Sequence, residues 1–355
     1  MSIQAQLIPQ TEPGKNFHNA LEQRLEQLFK EQTATAPTPH MAQLWQQISK
    51  AIDGGKRARP MLVYLGYRTV SEDPEPRLIE IGCAFELLHT ALIIHDDIID
   101  QDFVRRGEPT LSAHYRDAAL AEGKAQHAAE HIGHAAALLA GDVLISQAIQ
   151  LLHNACHDLA CGNRVVDLFQ AAIQQSAAGE LDDVLFSADF GTPDLDEVLR
   201  MHRLKTAAYS FETPLVIGAL LAGATDELLT RLSELAGLLG SCYQIIDDVL
   251  GTFGDSTTTG KPNDSDLREG KATVLIALAK NIETAAPTIA GWRAGTIDND
   301  TVRQLLIDLN IEQRARNLAD QYCAQAQQQV DGLAIRPEAH ASFRHLINEL
   351  LQRKH

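Results

Sequence analysis

Residues 79–99 read IEIGCAFELLHTALIIHDDII, and Asp100 follows. From Ile79 to Ile94 the only polar side chains are Glu80, Glu86, His89 and Thr90. A helix without a broad polar face is a central, buried one. Yet this segment closes on Asp96-Asp97-Ile98-Ile99-Asp100. Asp96 and Asp100 are i and i+4, so their carboxylates share one helix face about one turn apart. Like charges at that spacing destabilise a helix, and burial adds to the cost. A bound divalent cation offsets both penalties, and hard carboxylate oxygens suit Mg²⁺.

A second segment of the same kind, 235–250, reads LAGLLGSCYQIIDDVL and carries Asp247-Asp248 near its end. Two such clusters facing one another would make a central carboxylate-lined cavity in a helical bundle. Mg²⁺ held by few carboxylates shares its other positions with water and substrate phosphate. The implied ligand is therefore phosphorylated. Cations stand near by in sequence. Gly54-Gly55-Lys56-Arg57-Ala58-Arg59-Pro60 is a Gly-rich turn with three cations, read as an anion clamp of Arg forks and a Lys point charge. Arg105-Arg106-Gly107 follows the first acidic cluster, and Lys205-Thr206 lies in a helical stretch. Lys261 and Lys271 lie in and just after the loop that follows the second cluster.

Outward from these motifs, helical periodicity dominates. Phe17, Leu21, Leu25 and Leu28 make a one-sided stripe over 17–31. From Met41 onward, helical segments alternate with short Gly/Pro/Asn/Asp turns, and no strand of useful length alternates. The expected fold is all-α, one large helical bundle over 17–355 behind a loose N-terminus at 1–16. Low aromatic content, 5%, leans the same way. The 355 residues carry 47 acidic and 30 basic side chains, a net charge of −17. That sign argues against nucleic acid and anionic membrane surfaces as partners. The five Cys are odd in number and form no CxxC pair, so no disulfide framework is expected. The start, MSIQAQLIPQTEPGK, lacks the basic and apolar regions of a signal peptide, and no unbroken apolar run reaches ~18 residues. The expectation is a cytoplasmic protein without stable membrane insertion.

Several stretches together resemble the trans-isoprenyl diphosphate synthase (polyprenyl synthetase) family. They are GGKRARP, LLHTALIIHDDIIDQDFVRRGEPT, GELDDV, KTAAYSF and YQIIDDVLGTFGD with the following GKPNDSDLREGKAT. The resemblance implies Asp96, Asp100 and Asp247 as ligands to two or three Mg²⁺ per active site, with Asp97 and Asp248 in the same motifs. It implies Arg105, Lys205, Lys271 and Lys261 as contacts to an allylic diphosphate. Lys56, Arg59, His89 and Arg106 resemble the site for isopentenyl diphosphate. Thr206, Tyr209 and Gln244 match positions lining the reacting region, and Glu180 and Asp183 match a polar mid-chain motif. A homodimer is implied as well. Two positions depart from the family pattern: Gly251 stands where a fifth acidic residue is frequent, and Glu180 where Gln is usual.

The chemistry so implied is ionisation, condensation and elimination, with charge placed in advance where charge develops. Asp96, Asp100, Lys205, Thr206 and Asp247 would form the catalytic set. The polar loop 251–270 and the tail 352–355 read as segments that could close over substrate. Ala91 and Leu92, five and four residues before Asp96, resemble the family's chain-length positions. Small Ala91 lets a tail pass, which implies a product longer than farnesyl diphosphate, with geranylgeranyl diphosphate expected and longer products as the alternative. A di-iron bundle would need two Glu-x-x-His motifs, and Glu86-Leu87-Leu88-His89 is the one in a suitable context. A non-catalytic subunit sits poorly with intact acidic motifs, and a terpene cyclase poorly with the 56–59 turn.

Overall fold

The computed structural model of the chain describes residues 12–73, 75–105, 107–188, 190–191, 193–254 and 265–352. Arg106, Lys261, half of the 251–270 loop and the basic end of the tail lie outside them. The described residues are helical apart from a hairpin of two two-residue strands and the turns, in keeping with the periodicity.

The first compact unit ends at Val166. It holds α1 (Glu12–Ala34), α2 (Pro39–Ile52), α3 (Ala58–Arg68), α4 (Arg77–Ile99), β1 (Val104–Arg105), β2 (Glu108–Pro109), α5 (Leu111–Ala121) and α6 (Gln126–Cys156). Helix α1 begins five residues earlier than the stripe at 17–31 suggests. Pro13 sits in its first turn, where a missing N–H costs nothing. The four stripe residues are all buried. Thr38 and Thr110 cap α2 and α5 through their side-chain oxygens. Helix α4 is the core element: from Ile81 to Ala91 every residue but His89 is buried. It lies against α6, which in turn meets α5 closely at Gly133.

Helices α4 and α6 each contain an 18-residue window apolar enough to cross a membrane by length and composition. In α4 that window is 67% buried inside the protein, and in α6 it is 39% buried. The α6 surface leaves Ile132, Leu138 and Leu139 exposed.

The second unit takes in Arg68–Val70 and everything from Asp167 on. Along it run α7 (Gly162–Ser187), α8 (Leu195–His202), a π-helix (Arg203–Glu212), α9 (Thr213–Leu221) and α10 (Asp226–Phe253). They are followed by α11 (Ser265–Arg268), α12 (Val274–Lys280), α13 (Ala286–Arg293), α14 (Asn299–Asp308), α15 (Ile311–Asp331) and α16 (Pro337–Gln352). Asp194 and Glu197 form a reciprocal capping box at α8. The wide π turn ends where Thr213 N–H bonds Ala208 O, just before Pro214 removes a donor.

At Gly133 an added methyl group would overlap the backbone carbonyl of Ser112, and backbone yields less readily than a side-chain tip. Gly133→Ala is expected to cost about 1–3 kcal/mol as an overpacked contact, read as a lowered midpoint in urea. An unchanged midpoint would show that the α5–α6 contact is loose.

Candidate active site

In the first unit the acidic motif ends α4. Asp100 caps the helix through its N–H to Asp96 O, 2.8 Å. Successive helical residues point about 100° apart, so adjacent Asp residues face differently. Asp97 is 5% exposed, whereas Asp96 is partly open. The hairpin brings Arg105 back to both: Nε donates to Asp97 Oδ1 at 2.5 Å and Nη2 to Asp96 Oδ2 at 2.8 Å. Burial pushes the Asp97 carboxyl up to about 6, against the opposing pull of Arg105. The guanidinium is itself penalised by burial, but the two carboxylates more than offset this and hold its proton.

His95 lies over Gly141 of α6, with Nε2 3.3 Å from Leu138 O and 3.8 Å from Asp142 Oδ1. His89 is the one partly exposed residue in the buried run 81–91. Ala91 is fully buried and Leu92 half-buried. Lys56 and Arg59 flank the start of α3 and are partly exposed. Arg57, read from sequence as a third clamp cation, is instead turned into the protein, 3% exposed. There it pairs with Glu86, the acid of the sequence-level Glu-x-x-His motif.

In the second unit the π-helix carries Lys205, Thr206 and Tyr209. Gly179 of α7 gives the backbone of Lys205 room to approach, and Ser176 Oγ donates to Lys205 O at 3.0 Å. Lys205 Nζ lies 2.9 Å from Glu180 Oε2 and 2.7 Å from Asp183 Oδ2. The mid-chain acidic motif therefore holds this lysine. On α10, Asp247 is partly exposed and Asp248 is 4% exposed. Asp248 accepts from Val274 N–H at 2.9 Å and from Gln244 Nε2 at 3.3 Å, and His202 Nε2 lies 3.6 Å away. Burial pushes the Asp248 carboxyl up to about 7, and burial pulls the His202 imidazole down to about 4. Lys271 pairs with Glu269 at 2.6 Å.

The sequence reading missed His202 and Asp266. Asp266, on α11, fills the space beside Gly251, where a methyl group would overlap its carboxylate. The signal was the glycine itself, standing where an acid is frequent.

Residues 40–304 match the family description Polyprenyl synthetase. The chain belongs to the polyprenyl synthetase family. It is an enzyme of that prenyl-transferring class. It is 37% identical over 229 residues to a geranylgeranyl diphosphate synthase of Sulfolobus acidocaldarius, covering 63% of this chain and 62% of that protein. It is 33% identical over 306 residues to a geranylfarnesyl diphosphate synthase of Aeropyrum pernix, covering 84% of this chain and 89% of that protein. Its fold matches a geranylgeranyl pyrophosphate synthase from Corynebacterium glutamicum, solved with isoprenyl diphosphate and magnesium. That match has a TM-score of 0.86 and 26% identity, covering 95% of this chain and 98% of that chain. All-α architecture and family membership thus stand as the motifs implied.

An acid restored at position 251 would have to displace Asp266 and add a like charge. Gly251→Asp is expected to lower stability by about 1–3 kcal/mol, seen as a fall in melting temperature in the presence of EDTA. A variant as stable as the parent would mean that the 251–266 contact yields freely.

Proposed function

We propose that the protein condenses isopentenyl diphosphate with allylic diphosphates, most simply to geranylgeranyl diphosphate. The observation that carries this reading is Arg105 bridging Asp96 and Asp97 at the end of the buried helix. It sets a fixed cation beside an acidic pair, the combination a metal-bridged diphosphate needs. The donor set fits Mg²⁺: Asp96, Asp100 and Asp247 offer hard carboxylate oxygens. Among the described residues no group of three or more His, Cys, Asp or Glu is preassembled. The remaining positions would fall to water and substrate phosphate, the usual arrangement for this ion. Bound there, two or three Mg²⁺ would supply Lewis-acid stabilisation of the departing diphosphate.

The chain's own groups do the rest. Arg105, Lys205 and Lys271 would exchange carboxylate partners for oxygens of the allylic diphosphate, and Lys56, Arg59 and His89 would hold isopentenyl diphosphate. Apolar residues of α4 keep water from the allylic cation. Thr206, Tyr209 and Gln244 line the reacting region, and the released pyrophosphate takes the proton. We further read the protein as a soluble, cytoplasmic homodimer. Five free thiols suit a reducing compartment, and the exposed Ile132, Leu138 and Leu139 suit a second copy.

Incubation with isopentenyl diphosphate, Mg²⁺ and each allylic primer, followed by product sizing, tests the reaction. Asp96→Ala and Asp247→Ala are each expected to lose about 10²–10³ in kcat while keeping a native melting curve. Near-native turnover by Asp96→Ala at ordinary Mg²⁺ would sink the assignment. The Aeropyrum relative, a geranylfarnesyl diphosphate synthase, favours a second reading with a longer product. Ala91→Phe is expected to shorten the product under either reading, and an unchanged length would remove position 91 as the gate.

A further inference from the structure

We propose that Arg57 is a positioning residue whose buried guanidinium sets the direction of Lys56 and Arg59, and so the affinity for isopentenyl diphosphate. The inference rests on the function read above. In sequence the three cations of the turn look alike. In the structure they divide: Lys56 and Arg59 are partly exposed, and Arg57 is buried.

The guanidinium reaches three helices. Nε donates to Glu22 Oε1 at 2.6 Å and Nη2 to Glu22 Oε2 at 3.0 Å, a two-pronged pair on α1. Nη1 donates to Ile52 O at 2.8 Å, on the last turn of α2, and to Glu86 Oε2 at 3.1 Å, on α4. Glu86 is 2% exposed, and its Oε1 has no hydrogen-bond partner. Glu86 and His89 are i and i+3, neighbours on the same helix. The turn is thereby tied to the helix that carries His89 and Asp96.

The backbone follows the side chain. Arg57 has φ of 50°, the left-handed region that a residue with a Cβ enters only under constraint. Its carbonyl accepts from Met61 N–H at 3.1 Å, so Arg57 stands at the entrance to α3. Gly55 leaves the space that Nη1 occupies, since a Cβ there would lie 2.5 Å from that atom. The residues on either side thus inherit one orientation from four hydrogen bonds. A clamp ordered before its ligand arrives loses less freedom on binding.

The test compares Arg57→Met combined with Glu86→Gln, which removes the cation together with its most buried acid, and Glu22→Gln on half-buried Glu22. KM for isopentenyl diphosphate is expected to rise about tenfold to a hundredfold in the double variant, and by less in Glu22→Gln. KM for the allylic primer and the Mg²⁺ half-saturation should stay at wild-type values. Arg57→Lys should rescue little, because a point charge does not replace the fork. Wild-type KM for isopentenyl diphosphate in these variants, or equal weakening of both substrates, would overturn the proposal. If the double variant fails to fold, Glu22→Gln carries the same test. Trypsin separates this inference from the function itself, since the bond after Lys56 reports the turn without any substrate. Rapid cutting there in Glu22→Gln and slow cutting in wild type is expected even if no prenyl product forms. Equal cutting rates would overturn the anchoring. A wild-type protein with no product from any primer would instead overturn the function.

Discussion

Taking an ionised carboxylate out of water costs several kcal/mol, and both apolar helices of this protein end by doing so. Asp97 lies in the last turn of α4 and Asp248 in the last two turns of α10, each about one-twentieth exposed. Each is compensated inside its own unit. Asp97 has the Arg105 guanidinium, while Asp248 has the Val274 N–H, the Gln244 amide and His202 close by. In each pair one carboxylate is built into the fold and its neighbour, Asp96 or Asp247, is left partly open.

The same accounting bears on how a chain of net charge −17 would hold a diphosphate under the proposed function. The candidate cations carry carboxylate partners in this structure: Arg105 with Asp96 and Asp97, Lys205 with Glu180 and Asp183, Lys271 with Glu269. A diphosphate with its metal ions would exchange one set of ion pairs for another. Such an exchange is far less costly than stripping solvated charges.

Much of this was legible in the chain. The helices followed from apolar spacing, because a one-sided stripe such as Phe17-Leu21-Leu25-Leu28 has one economical way to be buried. The acidic motifs were legible because burial makes their charge anomalous. The roles within a motif were not. Lys56, Arg57 and Arg59 differ in burial, and the acids that hold Arg57 lie on other helices. Glu180 and Asp183 read only as a polar motif until Lys205, more than twenty residues on, met them. The start of α1 depended on Pro13, which the apolar stripe does not see. The π-helix depends on a hydrogen-bond register that apolar spacing does not encode.

A pattern of missing side chains recurs in both units. Gly55 makes room for the Arg57 guanidinium, Gly141 for the His95 ring, Gly179 for the Lys205 backbone and Gly251 for the Asp266 carboxylate. In each case the atom that fills the space belongs to a motif residue or to a group beside one. A site that crowds cations and acids needs them closer to neighbouring backbone than ordinary side-chain layers allow. Glycine at the facing position is the direct solution, because it removes the atom that would stand in the way. At position 251 the glycine leaves the room that the Asp266 carboxylate of α11 occupies.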